Sequence, residues 1–578
     1  MRLNTASLSR ALAALALTLF LATCASAPQT ARGEAVVVAA NPHAVAAGEE
    51  IIRAGGNATD AAIAAMLVLG LVEPQSAGLG GGGFLLAYDA SDASLDAYDG
   101  REIAPAGATN DMFLVNGQPM QFLDAQQSGR SIGAPALAPM LYMAHRQHGR
   151  LAWARLFEPA IRLAEGGFAV SPRLNMLIAG YAARGRLRDQ PDAARYLLTP
   201  EGEPLPVGHI LRNPDYAATL RALARQGPRA LTHGPIAEAI VAAAQRAPRA
   251  GTLTLADLQA VRPRRVDALC GAFRVYRVCT MAPPSAGGFA VLQTLALFER
   301  ARPTPGGVES VDDWAALLWA SRLAYADRDY FGADDQFAPV PAHALVSATY
   351  LDERARLIDL ARAPGEVTHG DPTPRAARWG GDATIDAPGT THLSVIDHEG
   401  NIAALTASVE NVFGSQRMAG GFFLNNQLTD FSFRPEINGA PVANAVAPRK
   451  RPRSSMAPTI MFGADGRPYA VMGSPGGPAI PAYVARTLIG MTDWSLSTQQ
   501  SIDLGHLIAA GATVRSETER VPGALAEALT ARGWRLAETQ SEASGLHGFR
   551  IVNGAIDAGA DPRREGRVAR IPAMPPAN

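Results

Sequence analysis

Lysine is nearly absent from this chain of 578 residues: Lys450 is the only one, and almost all positive charge is arginine. Schiff-base chemistry therefore has one candidate residue, and a Gly-Lys-Ser/Thr phosphate-binding loop is excluded. The formal net charge of -1 supplies no field that would attract nucleic acid or an acidic membrane. Hydrophobic residues make up 48% and charged residues 18%, which indicates a globular chain rather than a disordered one.

The sequence also lacks any apolar run of the roughly 18 residues that a membrane span needs. Ala11–Ala22 is a shorter apolar run that follows Arg2 and Arg10, the pattern of a secretory signal peptide over residues 1–27. Cys24 ends a sequence similar to a lipobox, and cleavage after Ala27 is the alternative. We expect export to the periplasm or cell envelope, with lipid anchoring through Cys24 left open.

Cysteine is the third scarce residue. Apart from Cys24, the chain has only Cys270 and Cys279, on either side of eight residues that resemble a hairpin. In an exported protein these two favour a disulfide across the hairpin, and two buried thiols are the alternative.

Local patterns predict helices at Asp60–Val72, Leu151–Glu165 and Val311–Tyr325, with Asn57 as a helix cap rather than a glycosylation site. Residues 369–389 are polar and rich in proline and glycine, which predicts a mobile segment. Gly78, Gly80 and Gly83 have the spacing of a dinucleotide-binding loop, but there the strand must come before the helix. Here the helix comes first, so the glycines more plausibly allow close approach of the backbone.

A hairpin is predicted around Glu399, with strands Thr390–Ile396 and Ile402–Ser408. If positions whose numbers sum to 798 are paired, Thr390 lies opposite Ser408. A bulge would break this pairing. Further along, Gly473–Gly477 lies between a predicted strand and a predicted helix, where successive backbone N–H groups suit an oxyanion hole.

Seven landmarks together carry a family resemblance that extends from about Glu34 to Ile571. They are Arg53–Ala58, Glu73–Ser76 with Gly80–Gly83, Gly100–Pro105, Pro283–Gly288, Thr390–Val395 with Asn425–Gln427, Arg453–Met456 and Gly473–Gly477. In this order they resemble the γ-glutamyltransferase (γ-glutamyl transpeptidase) family of the N-terminal-nucleophile hydrolase superfamily.

The resemblance implies an α+β fold, the four-layer αββα sandwich of N-terminal-nucleophile hydrolases. It also implies a precursor that cleaves itself between Gly389 and Thr390. Residues 28–389 then form a large subunit and residues 390–578 a small one, and the two associate as a heterodimer. Cleavage converts the amide nitrogen of Thr390 to an α-amine, whose pKa of roughly 7.7 to 8.0 suits a base at neutral pH.

The resemblance assigns the catalytic roles as follows. Thr390 is the nucleophile, Ser408 holds the position of a hydroxyl helper that is usually threonine, and Gly476 and Gly477 form the oxyanion hole.

For the donor, Arg101, Ser454 and Ser455 would bind the α-carboxylate. The α-ammonium group would be held by Asp430, Gln427 and Glu410. The alternative for Arg101 and Asp430 is a structural ion pair.

Two departures from the family pattern concern the substrate. Position 410 is glutamate where many relatives have asparagine, and its charge suits an ammonium group. The stretch between Ser432 and Asn444 is short and lacks tyrosine, so we expect no long lid and a more open pocket.

The predicted activity is cleavage of the γ-glutamyl amide of glutathione or a related donor, with transfer to water, an amino acid or a peptide, and without a metal or organic cofactor. Nucleic acid is not expected as a partner. The alternatives are an acylase for glutaryl amides or cephalosporins, an unprocessed binding protein on the same scaffold, and a nucleotide-dependent oxidoreductase that rests only on the glycine spacing.

Overall fold

Two antiparallel β-sheets lie face to face at the centre of the molecule. The structure, a computed structural model, describes residues 33–184, 186–373, 378–382, 384 and 389–573. The strands of the first sheet, in spatial order, are Arg567–Ile571, Ala35–Ala39, Gly389–Ile396, Ile402–Glu410, Gly82–Asp89, Ser94–Gly100 and Arg264–Val266. The strands of the second sheet, in spatial order, are Ala555–Ala560, His547–Val552, Pro468–Gly473, Thr459–Phe462, Tyr276–Thr280 and Leu269–Phe273.

Helices cover the outer face of each sheet. The first sheet packs against Pro42–Arg53, Ala58–Val72 and Leu137–His148. The second sheet packs against Ala286–Ala301 and Ile480–Thr492, and Val311–Phe331 lies on the first of these two helices. Apolar side chains fill the space between the sheets and beneath both helical layers. This order of layers confirms the predicted αββα sandwich.

The helix Ala58–Val72 is buried along its whole length, as expected for a segment that is apolar on every side. Asn57 caps it: its side chain accepts a hydrogen bond from the N–H of Asp60, and the Asp60 carboxylate accepts one from the N–H of Asn57. The interpretation of Asn57 as a cap is therefore confirmed.

Shorter elements complete the fold. The remaining α-helices are Phe122–Gln126, Glu158–Gly166, Pro172–Ala183, Pro191–Leu197, Pro214–Gln226, Arg229–Thr232, Pro235–Gln245, Leu255–Ala260, Ala342–Leu345, Ala348–Ala355, Thr498–Asp503 and Gly523–Ala531. The 3-10 turns are Gly129–Ser131, Trp153–Phe157, Leu187–Asp189, Gln427–Asp430 and Gly477–Ala479. The minor strands are Leu114–Val115, Gln118–Pro119, Phe168–Ala169, Ile210–Leu211, Met418–Ala419, Phe422–Phe423, Glu436–Ile437, Ala440–Pro441, Leu507–Ile508, Val514–Glu517 and Leu536–Thr539.

Two predicted helices have different bounds in the structure. The segment expected as one helix from Leu151 is a 3-10 turn followed by the helix Glu158–Gly166, because Pro159 lacks an N–H and is accommodated only in a first helical turn. The helix at Val311 begins as predicted, with Ser310 as its cap, but continues to Phe331.

The disulfide is confirmed. Cys270 and Cys279 lie directly opposite each other on neighbouring strands of the second sheet, and their sulfur atoms are bonded. The alternative of two free thiols is therefore wrong.

Several predictions fall on residues that the structure does not describe. The signal segment 1–27 is one of them, and residues 374–377, 383 and 385–388 of the segment predicted to be mobile are the others. Among the described residues, no helix has the length and apolar character needed to cross a membrane.

Candidate active site

The predicted hairpin register is confirmed: Thr390 pairs with Ser408 and Ile396 with Ile402. Both hydroxyl residues are buried at the middle of the first sheet. The glycine run lies on the next strand, where a Cβ at Gly81 would come within 2.1 Å of the Ser408 carbonyl oxygen. These glycines therefore allow close backbone approach next to the hydroxyl pair, as the sequence indicated.

Ser408 connects Thr390 to the peptide bond that precedes it. The Thr390 hydroxyl donates a hydrogen bond to Ser408 Oγ over 3.1 Å, and Ser408 donates its own proton to the carbonyl oxygen of Gly389 over 2.7 Å. The N–H of Glu410 donates to the same Ser408 oxygen over 2.8 Å. Ser408 thus uses its one donor and both lone pairs, and its donor polarises the Gly389 carbonyl.

The backbone is irregular at this peptide bond. The register shifts between Gly389 and Thr390, so that Gly389 lies opposite Glu410. Glu410 has a φ of 81°, a conformation that a non-glycine residue rarely adopts. A Cβ at Gly389 would lie 2.5 Å from the Glu410 carbonyl oxygen. Strain and close packing are therefore concentrated at the bond that was predicted to be cleaved.

Arg564 supports Thr390 from the carboxyl-terminal end of the chain, a contact that sequence reasoning missed. Its guanidinium donates to the carbonyl oxygen of Thr390 over 3.0 Å and to Ser76 Oγ over 3.3 Å. Burial lowers the pKa of Arg564 to about 9, an effect strengthened by Arg173 and opposed by Glu73.

Glu73 holds the neighbouring residue, since its carboxylate accepts a hydrogen bond from the Thr391 hydroxyl over 3.1 Å. Burial raises the pKa of Glu73, and the charges of Arg564 and Arg173 oppose that shift. Arg564 and Glu73 are positioning residues. Arg564 binds the backbone of Thr390, and Glu73 binds the side chain of the next residue, Thr391.

The residues predicted to bind the donor lie together around one cavity of about 20 Å³. Its lining comprises Arg101, Thr390, Ser408, Glu410, Gln427, Asp430, Ser454, Ser455, Met456, Gly477 and Ile480. A cavity of this volume holds about one water molecule. With Gly389 still joined to Thr390, it is therefore too small for a glutamyl group.

Arg101 and Asp430 form a buried ion pair across this cavity. Nη2 of Arg101 lies 2.5 Å from Oδ2 of Asp430, and the Gln427 amide donates to the same carboxylate oxygen over 2.7 Å. Arg101 also donates to the carbonyl oxygens of Pro452 and Arg453, which fixes its guanidinium. The ion pair proposed as the alternative is thus present.

The other side chains predicted to bind the γ-glutamyl donor each accept a hydrogen bond from a nearby residue. The carboxylate of Glu410 accepts a hydrogen bond from the Asn426 side chain. Ser455 Oγ accepts one from Nη2 of Arg328 over 2.5 Å, and Ser454 Oγ accepts one from the N–H of Met456 over 3.1 Å. The hydroxyl groups therefore face the cavity from a rigid segment.

Glu102, next to Arg101, is a second residue that sequence reasoning left without a role. It is fully buried, and among the described residues neither of its carboxylate oxygens has a hydrogen-bond partner. Its closest cation is Arg101, at 3.7 Å. Burial raises the pKa of Glu102 to about 8, against the opposing charge of Arg101. At neutral pH this carboxyl is therefore mostly protonated, and the positive charge of Arg101 is balanced by Asp430.

The glycine turn predicted as the oxyanion hole is only partly at the cavity: Gly477 lines it and Gly476 does not. Both have positive φ, 134° and 57°, and a Cβ at Gly476 would lie 2.3 Å from the ring of Tyr483. Within the described part of the chain, the backbone N–H of neither glycine donates to an acceptor. The N–H of Gly477, at the cavity that Thr390 also lines, can stabilise a developing oxyanion.

The short stretch after Ser432 forms a small hairpin, Glu436–Ile437 with Ala440–Pro441, and returns to Asn444. Described residues before Thr390 lie against it: Gly380 donates to the carbonyl oxygen of Pro441, and Asn444 donates to Asp382. The open pocket expected from the missing lid stays a prediction.

Comparison with known proteins agrees with this geometry. The family model described as gamma-glutamyltranspeptidase matches residues 44–571. A glutathione hydrolase proenzyme of Bacillus subtilis (strain 168) is 31% identical, with 93% of this chain and 92% of the relative covered. The acylase ACY 1 proenzyme of Pseudomonas sp. (strain V22) is 32% identical, with 95% of each chain covered. The crystal structure of cephalosporin acylase from Bacillus halodurans superposes with a TM-score of 0.81 at 25% identity, covering 94% of this chain and 98% of the acylase.

The four-layer sandwich places the chain in the N-terminal-nucleophile hydrolase fold class. The family model and the relatives at more than 30% identity over nearly the full length identify one family within this fold class. The chain belongs to the γ-glutamyltranspeptidase family of enzymes.

Proposed function

We propose that the chain is an exported precursor that cleaves itself between Gly389 and Thr390. Thr390 Oγ attacks the Gly389 carbonyl carbon, the C–N bond breaks, and an ester joins Gly389 to the Thr390 side chain. Water then hydrolyses the ester, leaving a carboxylate on Gly389 and an α-amine on Thr390. The observation that carries this step is the hydrogen bond from Ser408 to the Gly389 oxygen, at 2.7 Å, because it stabilises the oxyanion that forms there.

The subunits proposed are residues 28–389 and 390–578, held together as a heterodimer after removal of residues 1–27. Strand pairing supports a stable association. The strand that begins at Gly389 lies between Ala35–Ala39 and Ile402–Glu410 in the first sheet, so the two subunits share that sheet. Lipid anchoring through Cys24 is an open variant of the same proposal.

In the mature enzyme Thr390 attacks the γ-carbonyl of glutathione or a related donor, and its α-amine takes the hydroxyl proton. The N–H groups of Gly476 and Gly477 stabilise the oxyanion. The amine leaves with that proton, and a γ-glutamyl ester on Thr390 remains. Water, an amino acid or a peptide then attacks the ester, with the α-amine of Thr390 as the base.

The charges in the cavity suit a zwitterionic donor. Arg101 and Asp430 neutralise each other at 2.5 Å. A donor whose α-carboxylate binds Arg101, Ser454 and Ser455, and whose α-ammonium binds Asp430, replaces that pair with two new pairs. Gln427 and Glu410 stand on the ammonium side. No uncompensated charge is buried in this exchange.

Acylase activity on glutaryl amides or cephalosporins is the second candidate. It is favoured by the acylase relatives, which match this chain as well as the glutathione hydrolases do. A glutaryl group carries no ammonium, however, and so brings no positive charge to the side of the cavity where Asp430 and Glu410 lie. This charge balance favours the γ-glutamyl donor.

Intact-mass spectrometry and amino-terminal sequencing of the purified protein test the cleavage. Residues 390–578 are about a third of the 60.5 kDa chain, so the small fragment should have a mass of about 20 kDa and begin at Thr390. A single uncleaved chain without activity would instead favour the binding-protein alternative. Rates with the chromogenic amides γ-glutamyl-p-nitroanilide and glutaryl-p-nitroanilide then separate the two enzymatic candidates.

A further inference from the structure

A second and larger pocket, of about 610 Å³, lies beside the helix Val311–Phe331. Arg322, Ala326 and Asp329 line it from one face of that helix, and the opposite walls come from residues 363–367, 510–512 and 533–535. None of these residues lines the cavity at Thr390. The volume is in the range of sites that bind small organic molecules.

Arg322 is the unusual feature of this pocket. The residue is 9% exposed, and among the described residues its buried Nη1 has no hydrogen-bond partner. Burial lowers the pKa of Arg322, and the positive charge of Arg535 lowers it further. A buried guanidinium N–H without an acceptor is costly, and in folded proteins such groups are normally hydrogen-bonded.

Trp534 adds a second unsatisfied donor on the opposite wall. It is buried, and within the described part of the chain its indole N–H has no acceptor. Arg535, which follows it, is exposed at the rim. The pocket therefore presents two buried N–H donors for which the described residues supply no acceptor.

We propose that this pocket is a binding site for a small organic carboxylate. The guanidinium of Arg322 donates to the carboxylate, for which its fork geometry is suited. Trp534 supplies a further N–H donor, and Arg535 adds positive charge at the entrance. The body of the ligand lies against the apolar wall formed by Ala363, Pro364 and Val367.

Phosphate would also suit an arginine, but the lining opposes it. Asp329 and Glu366 are part of the pocket, and Asp329 lies 2.5 Å from Nη1 of Arg328. Phosphate places all of its charge on one group beside these two carboxylates, whereas a dicarboxylate such as glutarate separates its two charges by a carbon chain, so that only one of them lies near the wall. The carbon body of an organic acid also removes apolar surface from water, which phosphate does not.

Isothermal titration calorimetry of the purified protein with glutarate, in a buffer free of carboxylate and phosphate, tests the site. We compare the unaltered protein with Arg322→Gln and Arg101→Gln, the second of which disables the cavity at Thr390. We expect glutarate to bind the unaltered protein and Arg101→Gln with similar affinity, and to bind Arg322→Gln about tenfold or more weakly.

Three results would overturn the proposal. They are the absence of glutarate binding, its loss in Arg101→Gln with retention in Arg322→Gln, and tighter Arg322-dependent binding of inorganic phosphate than of glutarate. Thermal unfolding serves as the control for folding. Glutarate should raise the Tm of the unaltered protein and not that of Arg322→Gln, whose own Tm should be equal or higher because a buried charge is gone. Trp534→Phe, which keeps the ring and removes the N–H, should also weaken binding.

Discussion

Replacement of Ser408 by alanine separates self-cleavage from folding. The substitution removes the hydroxyl that donates to the Gly389 carbonyl oxygen at 2.7 Å and accepts from Thr390 at 3.1 Å. The carbonyl then loses its polarising donor, and the Thr390 hydroxyl loses the acceptor that orients it. We expect the uncleaved chain to accumulate.

The magnitude follows from what one oxyanion donor contributes. Removal of a single such donor slows acyl transfer by about 10²–10³-fold, or about 3–4 kcal/mol in the barrier. The same change leaves the N–H of Glu410 without its acceptor, which costs about 1–3 kcal/mol of stability. The cost in stability is small enough for a chain of this size to fold, so the slow cleavage can be measured.

The assay follows the conversion of purified precursor over time on a denaturing gel, with the small fragment identified by mass. Ser408→Thr is the matched control, since it keeps the hydroxyl and adds one methyl group, and we expect it to cleave at a rate close to that of the unaltered chain. Cleavage of Ser408→Ala at the unaltered rate would refute the role assigned to this hydroxyl. Circular dichroism establishes whether a slow variant is folded.

Three further predictions concern the same site. Thr390→Ala should remain an uncleaved chain by mass spectrometry and should not hydrolyse an amide substrate. Fragments of normal size from this variant would contradict the assignment of Thr390 as the nucleophile. Arg101→Lys should raise KM for γ-glutamyl donors by about tenfold or more, because one N–H fork is replaced by a point charge; an unchanged KM in steady-state kinetics would contradict the carboxylate contact. Glu102 has a pKa raised from 4.5 to about 8 by burial, so the folded chain binds a proton that the unfolded chain releases, and stability is lost as the pH rises through this range. The Tm should therefore fall more between pH 5 and pH 8 in the unaltered protein than in Glu102→Gln, and equal falls would show that Glu102 does not contribute.

The sequence predicted the parts of the site that depend on local pairing. The register that places Thr390 opposite Ser408 follows from a tight turn and the two-residue period of strands, and both signals lie within twenty residues. The caps at Asn57 and Ser310 are equally local. Such features depend on neighbours in sequence, so a single chain without relatives is enough to predict them.

The residues that position the site make contacts with residues far away in sequence, so the sequence alone did not predict them. Arg564 lies 174 residues from Thr390, whose carbonyl oxygen it holds, in an arginine-rich segment that resembles an ordinary surface. Glu102 is adjacent to Arg101 in sequence, but its burial depends on how Gly82, from the next strand, packs against its carboxylate. The sequence contains these residues without any pattern that marks them.

The sequence left two interpretations of Arg101 and Asp430 open: a structural ion pair and a pair of substrate-binding residues. The presence of the ion pair fits the first, but a structural pair gains little from lining a cavity, where a substrate can compete for both partners. Buried ion pairs recover their desolvation cost poorly, so a pair that serves stability alone could be replaced by apolar residues. A substrate that carries both charges can pair with Arg101 through its carboxylate and with Asp430 through its ammonium group. The double substitution Arg101→Met with Asp430→Leu should therefore remove γ-glutamyl turnover and lower the Tm only by the loss of the hydrogen bonds to Pro452, Arg453 and Gln427. A fall in Tm well beyond that of Arg101→Met with Asp430→Asn, which keeps an acceptor for Gln427, would mean that the pair is mainly structural.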